Sequence, residues 1–186
     1  LVAPLYLSFG TWRNPENFTK RTIFTFGIAP DLQLTHSREV DSYTQALLAR
    51  DTVIFDRSSR PEFGPIEQLL KTGPVEIELN NYKINVVGTF RMGISFSSDG
   101  NLITSEQNFM RIFPNRNPDQ VDLGIVRLKT GADIQKVKHQ LRALLTQDLD
   151  VFDLKELIAH ETRYWAEMVP IGFIFGFGMV MGLIVG

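Results

Sequence analysis

The sequence contains no cysteine among its 186 residues, which excludes disulfides, thiolate metal sites and cysteine nucleophiles together. It also has little excess charge, because 19 Lys and Arg are interspersed with 21 Asp and Glu to give a net charge of −2. Without a basic stripe there is no surface to follow a phosphate backbone, so nucleic acid is not an expected partner. The length allows one well-formed core or two small subdomains.

Sequence motifs for catalysis are missing as well. No GxxxxGK[ST] loop is present, so we expect any ATP hydrolysis to occur in a separate partner subunit. Ser58 and Ser59 lie beside Asp56, but no GxSxG elbow surrounds them. The histidines are far apart and have no second ligand at a metal-binding spacing: His36, His139 and His160. The sequence therefore predicts no catalytic residue, no metal site and no cofactor.

A long uncharged run closes the sequence. The 19 residues from Met168 to Gly186 include no charged or strongly polar side chain. A helix of that length spans about 28 Å, close to the hydrocarbon thickness of a bilayer. The run therefore predicts the start of a transmembrane helix, and the alternative is a buried core helix.

Five glycines in this run recur mainly at a spacing of four and gather on one half of the predicted helix. Such a face lets another helix backbone approach closely, so we expect helix packing at Gly172, Gly176, Gly178, Gly182 and Gly186. Tyr164 and Trp165 come just before the run, where amphipathic rings settle at the membrane interface. The lack of a positive cluster before the run favours a non-cytoplasmic location for the preceding residues.

Hydrophobic patterning before this run predicts a mixed α/β domain. Alternating or continuous apolar stretches indicate strands at residues 6–12, 22–28, 52–56, 75–79, 83–90 and 121–129. Helices are expected at residues 39–49 and 65–71, and a third is expected to begin at Ser105, whose hydroxyl can cap it. Asn80-Asn81 is a credible two-residue hairpin turn.

Residues 121–153 read as a strand–helix–strand module, with its second strand near Val151 and Phe152. The helical sequence from Leu154 onwards runs into the uncharged segment without a break signal. The expected fold class is therefore α+β: a mixed domain with βαβ units over residues 1–153, a helical stalk over 154–167 and a transmembrane helix beginning at 168. Because the sequence opens on strand-like residues without an initiator Met, we expect the domain to be truncated at its N-terminus.

Four stretches carry a family resemblance: LSFGTWRNPEN, TVIFDRSSRPEFGPI, VVGTF followed by FSSDGNLITS, and IGFIFGFGMVMGLIVG. Together they resemble the DevC family of ABC transporter permeases in cyanobacteria, which are relatives of the MacB-type exporters. The most distinctive part is an irregular loop, here called the motif loop, formed by Phe55, Asp56, Arg57, Ser58, Ser59, Arg60, Pro61, Glu62, Phe63 and Gly64.

The resemblance implies a permease subunit in the inner membrane, with residues 1–166 facing the periplasm. It implies a cytoplasmic ATPase subunit, a periplasmic membrane-fusion adaptor, a second copy of the permease and membrane lipid as partners. The DevC type is associated with export of heterocyst glycolipids, but the resemblance does not fix the cargo. The rival hypothesis is a periplasmic binding or assembly module anchored by a single span, and a membrane-tethered enzyme is a third.

Overall fold

The structure is a computed structural model that describes residues 1–32, 37–95, 98–146, 148–168 and 171–185. The chain forms two compact units, Leu1–Arg127 and Leu128–Gly186. The first contains the described strands, and the second is helical in its described part. The predicted division between domain and stalk at residue 153 stays a prediction.

The first unit is built on a seven-stranded mixed sheet. Its strands are β1 (Val2–Arg13), β2 (Lys20–Ile28), β3 (Thr52–Asp56), β4 (Val75–Leu79), β5 (Tyr82–Phe90), β6 (Asn101–Ser105) and β7 (Leu123–Val126). The order is β2-β6-β3-β5-β4-β1-β7, and β1 also pairs with β2, so six of the strands close on themselves. The β2–β6 and β3–β5 pairs are parallel, and the other described pairs are antiparallel.

Strand alternation separates two cores. The inner face contributes side chains such as Trp12, Phe55 and Leu79 to the larger core, which also takes Phe109 and Ile112 from helix α4 (Glu106–Ile112). The outer face packs beneath the short helices α1 (Arg38–Ser42) and α2 (Thr44–Leu48). That second core consists of Ile28, Val40, Leu47, Ile54, Phe90 and Ile103.

Local signals for turns and caps are confirmed. Asn80 and Asn81 join β4 to β5 with φ angles of 52° and 66°, the positive values that a two-residue hairpin turn requires. The Ser105 hydroxyl accepts a hydrogen bond from the Asn108 N–H at 3.3 Å and so caps α4. Each predicted strand over residues 1–129 has a counterpart; β3 and β4 have the predicted bounds, and the ends of the others differ.

The helix predicted over residues 39–49 is two helices, because Tyr43 divides α1 from α2. The helix predicted over 65–71 is α3 (Ile66–Leu69), continued by a 3-10 turn at Leu70–Thr72. Strand β6 was not predicted from the sequence.

The second unit contains α5 (Ile134–Leu144), α6 (Leu154–Met168) and α7 (Ile171–Val185). The strand expected near Val151 and Phe152 is wrong, since neither residue belongs to a strand. Instead, Asp153 accepts a hydrogen bond from the Glu156 N–H at 3.0 Å at the start of α6. A pair of apolar residues is too short to establish a strand, so the predicted strand–helix–strand module lacks its second strand.

The predicted transmembrane helix is also wrong. In the parts of the chain that the structure describes, no helix has both the length and the apolar character needed to cross a membrane. α6 ends at Met168 and α7 begins at Ile171, so the uncharged run is not one described helix. α7 has 15 residues, a length of about 22 Å, which is shorter than a hydrocarbon core of about 30 Å. The fold class is therefore a mixed α/β unit followed by a helical unit.

Candidate functional site

The buried carboxylate of Asp56, at the end of β3, is the centre of a hydrogen-bond network. Its Oδ1 accepts the backbone N–H groups of Ser58 at 2.9 Å and Met92 at 3.1 Å. Its Oδ2 accepts the Gly93 N–H at 2.9 Å and the Asn101 side-chain amide at 2.9 Å. These five residues are called the Asp56 network, which holds the chain after β3, the chain after β5 and the start of β6 together.

The network determines the ionisation of Asp56. Burial of the carboxyl raises its pKa, but the hydrogen bonds from Asn101, Ser58, Met92 and Gly93 lower the pKa further than burial raises it. The pKa of Asp56 therefore lies below its usual value, and the group is a carboxylate at neutral pH. Because both oxygens are occupied by donors of the same chain, Asp56 is suited to hold the fold rather than to accept a substrate proton.

A second set of contacts joins the motif loop to DGNLITS, residues 99–105, which belongs to another of the stretches that carry the resemblance. The Arg60 Nε donates to Asp99 Oδ1 at 2.6 Å, and the Arg60 N–H donates to the Asp99 carbonyl at 2.9 Å. The Ser59 hydroxyl accepts the Asn101 N–H at 3.3 Å. A Cβ on Gly100 would lie 2.8 Å from the Phe63 ring, so the close approach favours glycine there.

Arg57 connects the motif loop to helix α1. Its guanidinium donates two hydrogen bonds to Glu39, at 3.1 Å and 2.7 Å, and Glu39 also accepts the Arg91 N–H at 3.0 Å. The hydrogen bond from Arg57 is the main reason that the pKa of Glu39 is lowered. Arg57 and Arg60 thus both donate to carboxylates that lie outside the motif loop.

The remaining motif-loop residues are structural. Phe55 and Phe63 are buried in the larger core, and the Phe63 carbonyl accepts the indole N–H of Trp12 at 2.9 Å. Pro61–Phe63 forms a 3-10 turn that ends at Gly64, whose φ of 105° is accessible to glycine. The Glu62 carbonyl accepts the Asn14 side-chain amide at 2.8 Å.

The candidate residues that the structure describes form no metal-binding cluster. In residues 1–32, 37–95, 98–146, 148–168 and 171–185, no group of three or more His, Cys, Asp or Glu could hold a metal ion. His36 lies outside these ranges, and His139 and His160 belong to the second unit. The Ser59 hydroxyl accepts the N–H of Asn101, the first residue of β6.

The predicted helix-packing glycines lie in α7. A Cβ at Gly172, Gly176, Gly178 or Gly182 would have open space within 4 Å, so the described chain brings no backbone against them. Gly186 lies outside the described residues, and helix packing at this face stays a prediction. Tyr164 lies half-exposed in α6, with Trp165 next to it in the same helix, and their position at a membrane interface also stays a prediction.

Sequence reasoning did not identify Asn101, Met92 or Gly93 as partners of Asp56. The available signal was an Asp at the end of one apolar strand and an Asn at the beginning of another such segment, without any spacing to pair them. In comparisons with known proteins, no protein-family model matches the chain and no curated protein gives a significant match.

Proposed function

We propose that residues 1–166 are the periplasmic part of a permease subunit of a MacB- or DevC-type ABC exporter at the inner membrane. One observation carries this proposal: the motif loop and the DGNLITS segment, on which the resemblance depends, are joined by the hydrogen bond from Asn101 to Asp56 and by the Arg60–Asp99 pair. The two stretches that are most distinctive in the sequence are therefore also in direct contact in the folded chain.

The chemistry of this structure supports a mechanical and binding role for the first unit. The Asp56 carboxylate accepts four hydrogen bonds from the same chain, and Arg57 and Arg60 of the motif loop are paired with Glu39 and Asp99. In this role the unit binds partners and transmits their movement, and it does not transform a substrate. ATP hydrolysis belongs, in this proposal, to a separate cytoplasmic subunit.

The proposed partners are that ATPase, a periplasmic membrane-fusion adaptor, a second copy of the permease and membrane lipid. The exported substrate is a lipid or another cargo that passes on through the adaptor and an outer-membrane channel. Movement of the periplasmic unit during the ATPase cycle couples hydrolysis to this passage.

The test is affinity purification of the tagged native protein from detergent-extracted membranes of its own cells, followed by mass spectrometry. An ATPase with a Walker phosphate loop and a membrane-fusion adaptor should copurify in stoichiometric amounts. A matched purification with Arg60→Ala and Asp99→Ala together measures whether the motif loop contributes to the assembly.

Recovery of the folded protein without either partner would contradict the exporter assignment. Recovery with periplasmic proteins but no ATPase would favour the rival binding or assembly module.

A further inference from the structure

The edge of β1 that faces away from β2 changes its hydrogen-bond partner along its length. In this strand the odd-numbered residues direct their backbone N–H and C=O groups away from β2. Accordingly, the Leu7 N–H donates to Asp122 Oδ2 at 2.7 Å, and the Thr11 N–H donates to Asn80 Oδ1 at 2.8 Å. The Thr11 carbonyl accepts the Asn80 N–H at 2.9 Å. At Leu7 and Thr11 the hydrogen-bond partners of β1 are thus side chains and the β4–β5 turn, not a neighbouring strand.

Phe9 lies between these two positions, and neither neighbouring strand reaches it. β7 pairs with β1 as far as Leu5, and β4 pairs with β1 only from Trp12 onwards. The edge-facing N–H and C=O of Phe9 therefore have no hydrogen-bond partner among the described residues, and the residue is 53% exposed. An unpaired donor and acceptor on a strand edge are a template for another extended chain.

A cavity of about 440 Å³ opens beside this edge. Its lining combines apolar walls with hydrogen-bonding groups: Ser8, Asn80, Tyr82, Ile112, Phe113, Pro114, Asn115 and Arg116. The hydroxyls of Ser8 and Tyr82 and the amide of Asn115 make no hydrogen bond within the described chain. These groups are available to a ligand, whereas the amide of Asn80 already bonds Thr11 and the Ile112 carbonyl.

The charges at the cavity are balanced. The Arg116 guanidinium donates to the Leu7 carbonyl at 2.8 Å and to Asp122 at 2.6 Å. Because Arg116 and Asp122 neutralise each other, a phosphate or carboxylate ligand finds no unmatched cation there. The site is therefore complementary to an uncharged ligand that carries both hydrogen-bond donors and acceptors.

We propose that this edge and cavity bind a short, extended, uncharged peptide segment of a partner protein. The segment pairs its backbone with the N–H and C=O of Phe9 and inserts one side chain between Tyr82 and Phe113. The distance from Leu7 to Thr11 along the strand is about 13 Å, which accommodates about three residues of extended chain. Addition of a strand to an exposed edge is an established mode of peptide recognition. This inference does not depend on the exporter assignment.

The test uses the complete chain labelled with ¹⁵N and five blocked pentapeptides, acetyl-Thr-Val-X-Val-Thr-amide, with Ala, Val, Leu, Phe or Ser at the centre. In the free protein, the Phe9 amide should exchange with solvent faster than those of Ser8 and Gly10. At least one peptide at millimolar concentration should produce saturable shifts at Phe9 and Asn115 and slow the exchange of the Phe9 amide. The preferred central residue then identifies what the cavity accepts.

Two controls separate strand addition from adventitious contact. The same peptides N-methylated at their three central amides lack the donors for backbone pairing and should bind at least tenfold more weakly. Asn115→Trp fills the mouth of the cavity and should weaken binding similarly, whereas Gln120→Trp, at an exposed position outside the lining, should not. Slow exchange of the free Phe9 amide, absence of saturable shifts with all five peptides, or equal binding of the methylated peptides would overturn the proposal.

Discussion

The side-chain amide of Asn101 donates to the buried carboxylate of Asp56 at 2.9 Å, although the two residues are 45 positions apart. This contact joins the end of β3 to the beginning of β6. Together with the N–H groups of Ser58, Met92 and Gly93, it fixes the three chain segments that meet on this side of the sheet. The stability of the first unit should therefore depend strongly on one carboxylate.

We predict that Asp56→Ala lowers the free energy of unfolding by about 3 kcal/mol, because it leaves the buried Asn101 amide and three partly buried N–H donors without their acceptor. Urea denaturation of the complete chain, followed by the fluorescence of the buried Trp12, measures this change. The matched control is Asp99→Ala, which removes an exposed ion pair with Arg60 and should cost less than about 1 kcal/mol. If the two variants lost equal amounts of unfolding free energy, the Asp56 network would contribute no more to stability than an exposed ion pair.

Acid should weaken the fold through the same group. The pKa of Asp56 in the folded protein is lowered, so its contribution to stability is complete above the unfolded pKa of about 3.9 and is lost as pH falls through the folded pKa. Asp56→Asn cannot titrate, so its free energy of unfolding should change less with pH below about 4 than that of the wild type. Denaturation curves at several acidic pH values test this, and identical pH dependence would contradict it.

The sequence was informative where a signal is local. Alternation in β4 and the paired asparagines after it predicted a strand and a hairpin, because both depend on neighbouring residues. Strand β6 was missed because only Leu102 and Ile103 among its five buried residues are apolar, so Asn101–Ser105 shows neither an apolar run nor alternation. The partners of Asp56 could not be predicted, since they depend on how β3, β5 and β6 are arranged in the sheet.

Composition misled the prediction for the uncharged run from Met168. Its hydropathy satisfied the criterion for a membrane span, but composition does not state where a helix begins and ends. α6 and α7 have separate bounds, and neither is long and apolar enough to cross a bilayer.

Gly88→Ala should destabilise the outer core. A Cβ at Gly88 would overlap the ring of Tyr43, the residue between α1 and α2, and relief of the overlap requires displacement of this ring from its contacts with the outer core or movement of these helices. We expect a loss of about 2 kcal/mol in the free energy of unfolding. Gly124→Ala, in β7, is the matched control because its Cβ meets nothing within 4 Å, and it should change stability by less than about 0.5 kcal/mol. Similar effects of the two substitutions would contradict this packing.

Purified protein should show no saturable binding of labelled ATP. The chain has no GxxxxGK[ST] sequence to surround the phosphates with backbone N–H groups. Equilibrium titration with a known ABC ATPase subunit as the positive control measures this directly. Micromolar affinity would overturn the proposed division of labour between this chain and a partner ATPase.

The proposed role in export is tested most directly by comparing the molecules that reach the cell exterior in two deletion strains. One strain lacks the gene for this chain, and the other lacks the ATPase that copurifies with it. The proposal predicts that both strains lose the same exported species, retain it inside the cell, and recover export when the missing gene is restored. An unchanged exterior profile in the strain without this chain, or loss of different species in the two strains, would contradict it.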